Sequence, residues 1–160
     1  MAEDDDIAAS VARHGWHAIS VAASEFSPPF VYSIGLCHSA THPDAIVFGL
    51  EQDVGYSILA KLASRVRAGE AFGAPGVYIG LAADRSVATR PVHESQHPVY
   101  LGYAMGFYRH IGAPETLRAI QLFWPDESGL FPFDLGCDSH VAHLQPRLEL
   151  PELRPDERRW

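Results

Sequence analysis

Hydrophobic positions along the chain switch several times between a helical and a strand period. Ile7 and Val11 lie one turn apart behind Asp4, Asp5 and Asp6, which predicts a short capped helix ended by Gly15. Residues 16–21 read as a strand, 24–29 as a turn and 30–37 as a second strand. Residues 45–50 are short and continuously apolar, the pattern of a strand covered on both faces. Val54, Ile58, Leu62 and Val66 recur every four residues and mark a helix over 51–68. Glu51 and Asp53 in its first turn and Arg65 and Arg67 in its last complement the helix dipole, and Gly69 stops it.

Residues 77–81 and 87–92 predict a hairpin around Ala83-Asp84-Arg85-Ser86. Pro98 opens a further helix carrying Tyr100, Tyr103, Ala104, Phe107, Tyr108 and Ile111, ended by Gly112. Gly102 and Gly106, four apart, give that helix a flat face for close packing of another backbone. A last strand over 117–124 stops at Pro125-Asp126-Glu127-Ser128-Gly129. The expected fold is α+β: a mostly antiparallel sheet or small barrel flanked by about three helices. One globular domain over 1–146 is expected, followed by a charged tail or strap over 147–160, where Arg147, Arg154, Arg158 and Arg159 stand against Glu149, Glu152, Asp156 and Glu157, with Pro151 and Pro155 among them.

Composition narrows the function classes more than it names one. The 160 residues are 47% apolar and 20% charged, which excludes a wholly disordered chain. Mean hydropathy is -0.05, and no apolar run approaches the length of a membrane span. The net charge of -8 repels phosphate backbones and acidic membranes, so neither nucleic acid nor membrane is an expected partner. The acidic balance and the start Met-Ala-Glu-Asp-Asp-Asp, the reverse of a secretory signal, point to a cytoplasmic protein. Cys37 and Cys137, a hundred residues apart, form no CxxC motif and read as reduced thiols.

Several fragments carry a family likeness. They are Gly15-Trp16-His17, Pro29 to Leu36 (PFVYSIGL), His42-Pro43-Asp44, Val47 to Leu50, Arg90-Pro91-Val92, Leu101 to Ala104, Gln121 to Asp126 (QLFWPD) and Gly129 to Asp134 (GLFPFD). In this order, over roughly 14–146, they resemble the bacterial family catalogued as domain of unknown function 4262. The resemblance implies a compact single domain in a bacterial cytoplasm and carries no established reaction. The strand beginning Pro28-Pro29-Phe30 is also similar to one in flavin-binding split barrels.

Four clusters of residue types point to chemistry. Tyr32, Ser33, Cys37, His38 and His42 gather near the end of the second strand. A cysteine beside histidines there is a candidate thiolate nucleophile or, on the plainer reading, a small buried hydrophobe. Asp134, Cys137, His140 and His143 follow one another every three residues, and all are metal-ligand types. On an α-helix each step of three slips back by about 60°, so only three neighbours, Cys137, His140 and His143 for instance, share a metal; otherwise the segment is polar surface. Gln121 and Trp124 can read the edge and face of a planar ligand or be core, while Asp126 caps a turn. Arg65, Arg67 and Arg90 hold an anion if they converge and are solvated surface if they do not. Three functions follow. The first is a domain binding a small planar molecule in a cleft of the sheet lined by Tyr32, Ser33, Gln121 and Trp124, with Arg90 beside it. The second is an enzyme using flavin or a divalent metal, with Cys37, His38 and His42 as catalytic candidates. The third is an acidic inhibitor-like or immunity-like partner, or a homo-oligomer.

Overall fold

The computed structural model of the chain describes residues 2–152 and arranges them around one six-stranded sheet. Helix α1 (Ala2–His14) leads into β1 (His17–Val21) and β2 (Phe30–Ile34). A single turn, α2 (Leu36–Ser39), precedes β3 (Asp44–Phe48) and the long α3 (Gln52–Arg67). Then come β4 (Gly76–Tyr78), β5 (Val87–Pro91), α4 (His97–Tyr100), α5 (Gly102–His110), β6 (Ala119–Phe123) and α6 (Ser139–His143). The strand order is β1-β2-β3-β6-β5-β4, antiparallel throughout except for the parallel β3–β6 pair at its centre.

The sheet is open. Strands β1 and β4 are its two edges, so the barrel alternative is not what forms, and the likeness to split barrels finds no counterpart in the fold. Helices lie on both faces. Phe30, Tyr32, Ile34, Ile46 and Phe48 point to α1 and α5, where they meet Ile7, Val11, Ala104, Phe107 and Tyr108. Val31, Ala45, Val47, Ile120 and Leu122 point to α3, where they meet Ile58, Leu59, Leu62 and Val66. This two-sided cover explains why β2, β3 and β6 are buried at every position and why β3 reads as an unbroken apolar run. Among the described residues no helix is long and apolar enough to cross a membrane.

Several elements end earlier than their apolar pattern does. The second strand stops at Ile34 because Gly35 adopts φ +110°, a conformation that L side chains resist, and the chain turns there into α2. A Cβ at Gly35 would also lie 2.8 Å from both methyls of Val11, so the glycine lets α1 approach this corner. The helix expected from Pro98 to Ile111 is two pieces broken at Leu101, and among the described residues there are six α-helices against the expected three or so. The Gly102/Gly106 pair packs against no backbone: Gly102 has nothing near it, and Gly106 faces the Asp4 carboxylate. Residues 147–152 of the expected tail lie over the sheet, with Leu148 in the core. Arg154, Pro155, Asp156, Glu157, Arg158 and Arg159 lie outside the described residues.

One buried carboxylate joins these layers. Asp44, at the start of β3, is fully enclosed. Its Oδ1 accepts from the Ser33 hydroxyl (2.8 Å) and the Leu36 N–H (2.9 Å). Its Oδ2 accepts from the Tyr108 hydroxyl (2.6 Å) and the Gly35 N–H (3.3 Å). Asp44→Ala strands four donors in an apolar setting and is expected to lower stability by about 3–5 kcal/mol. Tyr108→Phe removes one of the four and should cost about 1–2 kcal/mol. Urea midpoints of the two variants test this ordering, and an Asp44→Ala protein as stable as its parent would refute it.

Candidate functional site

The corner after β2 is where sequence chemistry is densest, and its polar groups are turned inward. Burial drives the Asp44 carboxyl upward in pKa, against the four donors that pull it down. The Cys37 thiol donates to the Arg118 carbonyl (3.2 Å) and accepts from the Arg118 N–H (3.4 Å), standing in for a strand partner. Burial first, and then the Asp44 charge, raise its pKa, which opposes the thiolate that a nucleophile needs. His42 uses both ring nitrogens: Nδ1 meets the Pro43 carbonyl (2.8 Å), and Nε2 accepts from the Phe72 N–H (2.9 Å). His38 is exposed and lies edge-on to Phe107. Cys37, His38 and His42 are thus held by three different partners and form no nucleophile–base pair among the contacts of the described residues.

The expected ligand hollow is filled by the protein itself. Tyr32, Ile46, Gln121 and Arg90 do form one row across the sheet, register partner to register partner. Tyr32 and Gln121 are 1% and 0% exposed. The Tyr32 hydroxyl accepts from the Tyr103 N–H (3.2 Å), and burial raises its pKa well above the usual phenol range. Gln121 donates from Nε2 to the Pro146 carbonyl (2.6 Å) and accepts on Oε1 from the Leu148 N–H (2.9 Å). Ser33 is sealed against Asp44 and the Ala45 N–H (3.0 Å). Trp124 belongs to the opposite face, beside α3, where its indole N–H donates to the Phe48 carbonyl (2.8 Å). The four residues are therefore split between two faces and closed to solvent.

The other clusters also resolve into local bonds. Arg65 forks onto Glu70 (2.7 and 2.8 Å), Arg67 donates to the His14 carbonyl (2.8 Å), and Arg90 pairs with Glu149 (3.0 Å) while lying 3.8 Å over the Phe133 ring. They do not converge. Asp126 accepts N–H bonds from Ser128, Leu130 and Asp138, and these backbone donors hold its carboxyl below the usual range. Asp134 accepts from the Phe131 N–H (2.9 Å), and His140 and His143 lie on α6, past the Asp138 cap. Among the described residues no three His, Cys, Asp or Glu side chains are placed to hold a metal. Sequence reading missed Asp44, Tyr108 and Gln145. The available signal for Asp44 was a carboxylate heading a strand with no other polar residue, which demands buried partners.

Two open hollows lie among the described residues. One lies between α1, β1 and α3, walled by Trp16 and Arg67, with lobes of about 420 and 440 Å³. The C-terminal ends of α1 and α3 meet there, so their negative dipole ends and the Arg67 guanidinium oppose one another. The second, about 450 Å³, opens at the mouth of the β1–β2 hairpin and is lined by Val21, Ser24, Phe26, Ser27, Phe30, Val99 and Tyr100. Its floor is an edge-to-face aromatic cluster: Tyr100 stands 5.5 Å from Phe30 and 5.2 Å from Phe48, near perpendicular to both. Its rim is a turn fixed by the Ser24 N–H bond to the Ser27 carbonyl (2.9 Å) and the Phe26 N–H bond to Ser24 Oγ (3.2 Å). At the tip Phe26 is 61% exposed.

Fold and cleft together define an open, largely antiparallel α/β/α sheet domain with an apolar hollow at one strand end. The chain belongs to the family described as Domain of unknown function (DUF4262), which matches residues 10–138. No curated protein matches the chain, and no solved structure does.

Two measurements check the site chemistry. Cys37 is expected to resist a thiol reagent until the protein unfolds. Cys137, raised first by burial and then by Asp126, Asp138 and Asp134, should react more slowly than free cysteine at neutral pH. A rapid native reaction of both thiols would contradict this. His17 and His97 are lowered chiefly by burial, and His97 Nε2 is enclosed with no hydrogen-bond partner among the described residues. Asp6 acts on His17 in the opposite sense; on His97, Glu94 opposes the shift and His93 adds to it. The unfolded chain therefore takes up protons near pH 6.5 that the fold refuses. Stability should fall as pH drops through that value, and His97→Leu should flatten the fall; an unchanged slope in that variant would count against the assignment.

Proposed function

We propose that this domain binds a small, planar, uncharged molecule in the cleft between the β1–β2 hairpin and α4. The carrying observation is a hollow of about 450 Å³ lined by the exposed Phe26 together with Phe30 and Tyr100 of the edge-to-face aromatic cluster. An exposed phenyl on a hydrogen-bonded turn is poised to gain burial when a flat ligand enters, and the turn needs no reordering to receive it. None of the seven lining residues is charged, and the chain carries -8, so a neutral ring system is favoured over an anion. The enzyme reading draws no support from Cys37, His38 and His42, which are held apart.

N-phenylnaphthylamine and its sulfonated counterpart, anilinonaphthalene sulfonate, share one flat scaffold and differ in charge. The neutral probe is expected to bind saturably with a rise in fluorescence, and the sulfonate more weakly. Phe26→Ala, at an exposed position, should weaken the neutral probe by about tenfold, roughly 1.4 kcal/mol, without lowering Tm. Val99→Glu should block it. Riboflavin, uncharged and flat, tests the flavin variant through a shift in Tm. Neutral-probe binding that is absent, or indifferent to both substitutions, would overturn the reading.

A further inference from the structure

The polar groups around the hollow between α1, β1 and α3 differ from the clusters resolved above, because they are unspent. Ser10, His14, Trp16, His17, Tyr56 and Arg67 line its first lobe. Among the described residues the Trp16 indole N–H, the Ser10 and Tyr56 hydroxyls and both imidazoles make no hydrogen bond. Arg67 is the anchor of the set. Its Nη1 donates to the His14 carbonyl (2.8 Å), and its guanidinium lies against Gly15, where an added Cβ would stand 3.5 Å from Nε. Its other edge, Nε–H and Nη2–H, has no partner among the described residues. Two residues earlier in α3, Arg65 spends that same edge on a carboxylate: Nε and Nη2 donate to the two oxygens of Glu70 (2.8 and 2.7 Å). Two parallel N–H groups in one plane match a carboxylate in spacing and orientation.

The helix ends that oppose this charge are already engaged. The Val11 carbonyl accepts from the Gly15 N–H, the His14 carbonyl from Arg67 itself, and the Ser64, Arg65 and Val66 carbonyls from N–H groups of 68–70. Among the described residues that line the two lobes, Arg67 is the one with a fixed charge, and it is positive on a chain that carries -8. A flat apolar surface stands beside it. Trp16 and Tyr56 stack with ring centres 5.6 Å apart and planes at 29°, and Tyr56 is half exposed. Trp16 and Arg67 both continue into the second lobe, where Ala60, Ala63, Ser64 and Ala68 of α3 leave room for a ring against the indole. The geometry points to a second binding site, for an aromatic carboxylate: its ring lies against Trp16 and its carboxylate takes the Nε–Nη2 edge of Arg67. This site is separate from the cleft at the hairpin mouth and selects an anion where that cleft selects a neutral ring.

2-Naphthoate and 2-naphthamide share one ring system and differ in charge, and the full-length protein can be titrated with each. The readout is the Trp16 indole N–H resonance, identified by its loss in Trp16→Phe. Naphthoate should move that signal saturably below about 1 mM and leave the Trp124 indole N–H, bonded to the Phe48 carbonyl, in place. Naphthamide should act at Trp16 about fivefold more weakly, and Arg67→Gln should bring naphthoate down to the same level. Tyr56→Ala, at an exposed position, should weaken both. Phe26→Ala should leave naphthoate binding at Trp16 unchanged, so the outcome here does not depend on the hairpin-mouth cleft. A Trp16 signal that naphthoate does not move would overturn the inference, as would naphthoate binding that Arg67→Gln leaves intact. If Arg67→Gln does not fold, the parent protein decides: naphthamide bound at Trp16 as tightly as naphthoate sinks the carboxylate assignment.

Discussion

A carboxylate enclosed in protein is tolerated only where donors surround it, and the arrangement around Asp44 fixes how β2, α2, β3 and α5 meet. Its four donors come from the end of β2, the glycine turn, the first residue of α2, and the last turn of α5. No apolar side chain could impose that set, because dispersion is undirected, whereas four hydrogen bonds fix where each segment must stand. Gly35 is part of the same device. Its left-handed backbone turns two successive N–H groups toward one carboxylate while clearing room for Val11 of α1. The parallel β3–β6 pair begins at this residue, so the register of the sheet's centre is tied to the same point.

That constraint decides what chemistry is left. Ser33, Tyr108 and Asp44 spend their hydrogen bonds on one another, and Cys37 spends its own on the Arg118 backbone. Side chains that look like a nucleophile, a base and an acid in the sequence are here the hydrogen-bonded interior of a corner. Their pKa values move in the inactive direction: thiol and phenol upward, away from nucleophilic forms. The apolar hollow lies instead at the hairpin mouth, at the end of β2 away from Asp44, where Phe30 is the strand's first residue rather than its last.

Periodicity made the rigid parts legible. The four-residue spacing of Ile58, Leu62 and Val66 gave α3 nearly to its ends, and the unbroken apolar run of β3 gave its two-sided cover. Where the chain departs from periodicity, the sequence was silent or misleading. Leu36 and Cys37 continue an apolar run past the strand, yet backbone torsion at Gly35 ends it. Leu101 carries the helical pattern across a break between α4 and α5 that only the observed dihedrals reveal. A hollow lined by Tyr32, Ser33, Gln121 and Trp124 was expected; Tyr32 and Gln121 do share a row through Ile46, but residues 146–152, which lie over Gln121 and are held largely through their backbone, had no periodic signal.

This last point explains why so many polar residues resembled a site. After β6 the chain runs from 124 to 152 with only a single turn of helix, α6, and a segment without ladders must satisfy its backbone some other way. Here side chains do so. Asp126 gathers the 125–138 loop, Asp138 caps α6, Gln145 clasps Trp124, and Gln121 and Gln96 hold the backbone of residues 146–150. A buried Gln or Asp that bonds backbone atoms on both sides is a substitute for strand pairing. Its presence in sequence beside Trp and His therefore signals irregular chain being pinned as readily as it signals a ligand. The residue types that most resembled ligand readers are the ones that this irregular segment requires to fold at all.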